Sequence, residues 1–91
     1  MVIHALVQDE FMEKKTISSF IYLIECGREI ELTYKGQLIF ISKHGSKKYC
    51  SMCIGEEEQP FESVEDLLTN GEILGKKLYE IWNEVTITSL F

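Results

Sequence analysis

Between Arg28 and Ile54 the chain alternates apolar and polar residues across two glycine-containing turns, Lys35-Gly36 and Gly45-Ser46. This is the pattern of a three-stranded antiparallel meander. A two-residue turn at Lys35-Gly36 predicts that Tyr34 faces Gln37, Leu32 faces Ile39 and Ile30 faces Ile41. A second such turn at Gly45-Ser46, with glycine suited to the first position of a type II′ turn, predicts Ser42 opposite Tyr49, Ile41 opposite Cys50 and Ile39 opposite Met52. Both turns put Ile30, Leu32, Ile39, Ile41, Cys50, Met52 and Ile54 on one face, the expected core. The other face takes Glu29, Glu31, Thr33, Leu38, Phe40, Tyr49, Ser51 and Cys53. A slip of one residue would exchange the two sets. The central segment Gln37-Leu38-Ile39-Phe40-Ile41 is apolar on both sides, although a small two-layer domain needs only one greasy face. The outer patch of Leu38, Phe40, Tyr49 and Cys53 is therefore a candidate contact surface, to be covered by the chain's own ends, a second copy or a different partner.

The flanking segments supply helices for the core face. Ile17, Phe20, Ile21 and Ile24 form a stripe at three- and four-residue spacing, predicting a helix from Thr16 to Cys26. Thr16 caps it and Gly27 ends it, while Tyr22 and Leu23 widen the buried side. After Pro60, Ser63 is an N-cap for a short helix with Glu65 and Asp66 near its positive end, stopped by Asn70-Gly71. A second helix is expected with Leu74, Leu78, Ile81, Trp82 and Val85 on one face, and Thr86 to Phe91 reads as a terminal strand from its β-branched content. Val2, Ile3, Leu6 and Val7 fit a short edge strand, a loose helical turn or an extension that packs on a neighbour, so residues 1–12 stay open. The expected fold is α+β in a single domain over residues 1–91. It comprises an N-terminal helix, a three-stranded antiparallel meander, two C-terminal helices and a short terminal strand.

Composition narrows the function classes. A 45% hydrophobic fraction in 91 residues is enough for one packed core and argues against disorder. A formal charge of −6 argues against a protein built to grip nucleic-acid phosphates, and leaves open an acidic ligand for a basic protein surface. No apolar run approaches the ~20 residues of a membrane span. The opening residues lack the basic region and cleavage site of a signal peptide. Three cysteines make an odd number, which does not suggest a disulfide framework and points to a reducing, cytoplasmic setting.

Cys50-Ser51-Met52-Cys53 has the spacing of half a zinc site or a redox dithiol. Within a strand, however, residues three apart point to opposite faces, so Cys50 enters the core and Cys53 leaves it. Zinc would also need four ligands, with only Cys26, His4, His44 and the acids left to supply them. Glu56, Glu57 and Glu58 read as a solvated acidic loop or as a docking surface for a basic partner. They lack the spacing of a calcium loop. Lys43, His44, Lys47 and Lys48 form a basic tip at the other end of the third strand, about 20 Å away by strand length. His44 has no nucleophile or carboxylate beside it in sequence. Trp82 shares the face of Leu78 and Ile81, as a core residue would, and Tyr79 sits at its edge.

The run Gly27-Arg28-Glu29-Ile30-Glu31-Leu32-Thr33-Tyr34-Lys35-Gly36 resembles a hairpin found in small uncharacterised proteins of Gram-positive bacteria, their phages and mobile elements. In those proteins it precedes segments similar to Phe61–Leu68 and Gly75–Val85 of this chain. The resemblance covers about two thirds of the sequence, implies a bacterial or phage cytoplasmic origin, and carries over no functional residue. The expected function is a non-catalytic, acidic protein-interaction module, a regulator or inhibitor. It would contact a protein partner or a second copy through Leu38, Phe40, Tyr49, Glu56, Glu57 and Glu58, with no cofactor, metal or membrane role. The alternative is a thiol- or metal-binding protein using Cys50 and Cys53.

Overall fold

The structure, a computed structural model, describes residues 2–43 and 49–91. In chain order the elements are α1 (Val2–Lys14), α2 (Ile17–Glu25), β1 (Ile30–Tyr34), β2 (Gln37–Lys43), β3 (Cys50–Ile54), β4 (Glu57–Phe61), α3 (Val64–Asn70), β5 (Glu72–Ile73), β6 (Lys76–Lys77), a 3-10 helix (Leu78–Glu84) and β7 (Thr86–Leu90). The meander is the middle of a five-stranded antiparallel sheet ordered β4-β3-β2-β1-β7. The α+β class holds, but the sheet gains two strands; of the expected C-terminal helical pair the first is α3, and the second gives way to the β5–β6 hairpin and the 3-10 helix.

The first hairpin has the expected register, with Tyr34 opposite Gln37 and Ile30 opposite Ile41. Lys35 and Gly36 both have positive φ, 49° and 80°, the turn geometry that matches strand twist. The second hairpin is displaced from its expected register. Ile39 faces Ile54, Ile41 faces Met52 and Lys43 faces Cys50. The expected turn at Gly45-Ser46 lies outside the described residues, as do His44, Lys47 and Lys48 of the expected basic tip. The displacement is two residues, and two residues preserve side-chain parity. The expected core face therefore survives: Ile30, Leu32, Ile39, Ile41, Cys50 and Met52 are fully buried, and Ile54 packs at the margin.

The segment expected to be an acidic loop is instead a strand. Gly55, at φ 61°, turns the chain so that Ile54 faces Glu57 and Ser51 faces Pro60. Proline is tolerated there because β4 is an edge strand. Beyond α3, the expected helix with Leu74 on its apolar face is replaced by the β5–β6 hairpin. Leu74 and Gly75 form its two-residue turn at φ 53° and 81°, and Leu74 is 61% exposed. The rest of that apolar set, Leu78, Ile81, Trp82 and Val85, is buried in or just after the 3-10 helix. Gly71 ends α3 at an ordinary φ of −65°. Its need is for space, since a Cβ there would sit 2.6 Å from the Leu67 carbonyl oxygen and 3.0 Å from the Met52 methyl.

α2 starts and stops as its sequence signals. The Thr16 hydroxyl accepts from Ser19 N. At the other end, Gly27 N donates to Ile24 O and Arg28 N to Leu23 O around a glycine at φ 90°, a Schellman closure. Its buried side is rotated from the expected stripe: Phe20, Leu23 and Ile24 are fully buried while Ile17 is exposed. The opening residues, left open by the sequence, form α1, which packs on α2. Phe11 is fully buried with its ring 6.3 Å from Phe20, and Phe20 meets the Trp82 ring edge-on at 4.9 Å. The α1–α2 corner turns at Lys15, φ 54°. Lys15 Nζ donates to the Trp82 and Val85 carbonyls at 2.6 and 2.7 Å, and Trp82 Nε1 donates back to Lys15 O at 2.8 Å.

The Glu10 carboxylate fastens α1 to α2 by accepting from the Ser19 and Thr16 hydroxyls. Those two hydrogen bonds, Ser19 first, hold its pKa below the ordinary 4.5. A depressed carboxyl contributes stability that is present above its unfolded value and is lost as pH falls through its folded one. We therefore expect stability to fall more steeply in the wild type than in Glu10→Gln as pH drops below 4.5, followed by urea midpoints. Equal slopes would remove Glu10 from the acid response. At the other clasp, Lys15→Met keeps the aliphatic stem and deletes the ammonium. It should cost about 1.5–3 kcal/mol, the range for a charged hydrogen bond left unmade, and a midpoint unchanged from wild type would show the clasp to be dispensable.

Candidate interaction surface

Alternation along five strands defines the outer face. The β1 positions are Glu31 and Thr33, β2 contributes Leu38, Phe40 and Ser42, and β3 contributes Cys53 and the buried Ser51. At the edges lie Glu58 and Pro60 of β4, and Thr86 and Ser89 of β7. Cross-strand pairing aligns Glu58, Cys53, Phe40, Glu31 and Ser89 in one row across the sheet. Leu38, one step along β2, is 50% exposed. No Lys or Arg occupies an outward strand position among the described residues.

Neither end of the chain folds over this face. α1 packs with α2, and β7 extends the sheet beside β1. One residue reaches across. Phe91 exchanges backbone hydrogen bonds with Glu29, and Arg28 Nε donates to the Phe91 carbonyl oxygen. The Phe91 ring lies 5.9 Å from the Phe40 ring. Phe40 is half-buried as a result, while Phe91 itself is 57% exposed. The face thus has an apolar centre of Leu38, Phe40 and Phe91, flanked by Glu29, Glu31 and Glu58. Sequence reasoning missed Phe91. Its signal was parity in the terminal strand, where Leu90 packs on the core and the next residue must point outward.

The other expected contact residues separate. Glu58 joins the outer face, Glu56 sits in the β3–β4 turn, and Glu57, opposite Ile54, points toward the helix side. Tyr49, 37% exposed, lies at the far end of β3. There it lines a shallow pocket of about 330 Å³ with Pro60, Phe61, Glu62 and Asp66. A second pocket, about 250 Å³, is bounded by Glu25, Lys43, Glu62, Ser63 and Val64. Ser63 there accepts from Asp66 N as the cap of α3.

The two strand cysteines occupy opposite faces. Cys50 is fully buried, donates to Ser63 O at 3.4 Å, and has its thiol pushed up to about 11 by burial and by the nearby Asp66 charge. That is the reverse of the shift that activates a thiolate. Cys53 is half-buried on the outer side, and Cys26 is exposed at the end of α2. Among the described residues no three His, Cys, Asp or Glu side chains converge where a metal ion could sit. No helix of the described residues is long and apolar enough to cross a membrane. Compared with known proteins, the chain matches no protein-family model, no curated protein and no solved structure.

Thiol labelling tests the cysteine geometry. Cys26 and Cys53 should react promptly with a thiol reagent, and Cys50 only after denaturant is added. Prompt reaction of all three, or ready formation of a Cys50–Cys53 disulfide under mild oxidation, would contradict the opposed placement.

Proposed function

We propose that this protein is a non-catalytic interaction module that binds a basic protein through the outer face of its sheet. The observation that carries this reading is an apolar centre of exposed Leu38 and Phe91 beside half-buried Phe40, with flanking carboxylates and no cation at the outward positions of the five-stranded sheet among the described residues. Apolar area left in water is a cost that a binding partner removes. The carboxylates would set orientation and association rate for a positively charged surface. Contact would centre on Leu38 and Phe40, with Phe91 beside them and Glu31 and Glu58 at the rim. Glu57 and Tyr49 play a lesser part, since they lie away from that centre. In this role the protein would act in the cytoplasm of a Gram-positive host as a regulator or inhibitor encoded by a phage or mobile element.

The test compares immobilised wild type with a Leu38→Ser/Phe40→Ser variant in a Gram-positive cell lysate. A discrete basic protein should be retained by wild type and lost from the variant, whose fold is checked by circular dichroism. With the retained protein purified, the Phe40→Ser change alone should weaken binding by about 30-fold, the scale of an aromatic hot spot. Retention of the same proteins by both forms would place the contact elsewhere.

A further inference from the structure

The two edges of the sheet are protected very differently. β4 carries Glu57, Glu58 and Pro60 along its free side. Charges and proline are the devices by which natural sheets refuse further strands. β7, at the other edge, reads Thr86-Ile87-Thr88-Ser89-Leu90, with neither charge nor proline and with strong strand preference. We propose that β7 is a second binding site, which takes an extended basic segment of a partner protein as a sixth strand. This rests on reading the chain as a partner-binding module, but it does not require the outer patch around Phe40.

The backbone geometry supports addition at this edge. Phe91 N donates to Glu29 O at 2.8 Å and Glu29 N to Phe91 O at 3.4 Å. In an antiparallel pair such bonded positions alternate with unbonded ones, so the N–H and C=O of Leu90 face away from β1. No backbone partner meets them among the described residues. Near the middle of the strand the register slips by one between Glu31 and Leu32, leaving Thr88 as an extra residue. The Thr88 hydroxyl lies 3.0 Å from both the Glu31 carbonyl and a Glu31 carboxylate oxygen. The bulge thus fastens a carboxylate against the edge strand itself.

That carboxylate decides the occupant. A second copy pairing β7 with β7 would add a second Glu31 carboxylate to the same edge and no cation, since β7 carries none. A basic strand instead supplies the missing charge, since a carboxylate already accepting from one hydroxyl has lone pairs left for Lys or Arg. Alternation sets the rest of its pattern. Side chains on the outer side meet Ser89 and Glu31, while those on the helix side continue the partly buried row of Ile87 and Leu90. The segment recognised is therefore one in which Lys or Arg alternates with Val, Ile or Leu.

The probes are a panel of short peptides alternating Lys or Arg with Val or Ile, each paired with a peptide of equal charge carrying proline at its central apolar position. They are added to the full-length protein, and amide hydrogen exchange is read residue by residue. The alternating peptides should slow exchange at Leu90 by about tenfold, the proline peptides should not, and Glu31→Gln should weaken the effect by about fivefold. Leu38→Ser/Phe40→Ser should leave the slowing intact. If that variant abolishes it, the peptides sit on the outer face, and the edge proposal fails while the function proposed above stands. Equal slowing by the proline peptides, none by any peptide, or slowing that depends only on the protein's own concentration would each overturn the proposal, the last by showing that a second copy occupies β7.

Discussion

The clasp between Lys15 and Trp82 fixes the α1–α2 corner to the 3-10 helix, beside the packing of Phe20 on the Trp82 ring. Lys15 and Trp82, 67 positions apart, exchange hydrogen bonds in both directions, Lys15 also donates to Val85, 70 positions away, and its ammonium lies 5.6 Å from the centre of the indole ring. A 3-10 helix leaves its last carbonyls unpaired like any helix, and here a lysine from the other end of the chain takes two of them. Burial lowers the Lys15 pKa below the ordinary 10.5, so the ammonium carries a desolvation cost that its carbonyl partners must offset. The consequence reaches the sheet. Trp82 and Val85 are the last buried residues before β7, and fixing their carbonyls fixes where the final strand enters beside β1.

Parity along the strands organises the remainder. One set of alternate residues packs under α2, α3 and the 3-10 helix, with Met52 touching the space kept open by Gly71. The other set faces outward, and within it Ser51 is nonetheless buried. Phe91 links strand pairing to the outer face, because the backbone bonds that continue β7 beside β1 also lay its aromatic ring against Phe40.

What could be read from the sequence follows the strength of its local signals. Gly36 with Lys35, Gly27 and Ser63 each sit where one backbone conformation or one capping bond is strongly preferred, and each was legible. The core face was legible despite a displaced register in the second hairpin, since an error of two residues cannot exchange inside for outside. β4 was not legible: Glu57-Glu58-Gln59-Pro60 has the composition of a loop, and only its pairing to β3 makes it a strand. Leu74 misled because apolar spacing cannot distinguish a helix face from a hairpin tip, and leucine seldom occupies the left-handed region. α1 has apolar residues distributed around its circumference, so no stripe announced it. Of the candidate surface, Leu38 and Phe40 were legible from alternation. The separation of Glu57 from Glu58 depended on knowing that both belong to a strand.

The unequal edges of the sheet also bear on stoichiometry. An assembly that grows by adding strands propagates only when each new unit offers a fresh edge. Here β4 closes one side with Glu57, Glu58 and Pro60, and β7 on the other side has neither charge nor proline of its own. A sheet with a single receptive margin is a chain terminator: whatever joins it there completes the structure, and fibrous growth through copies of this protein has no second place to begin.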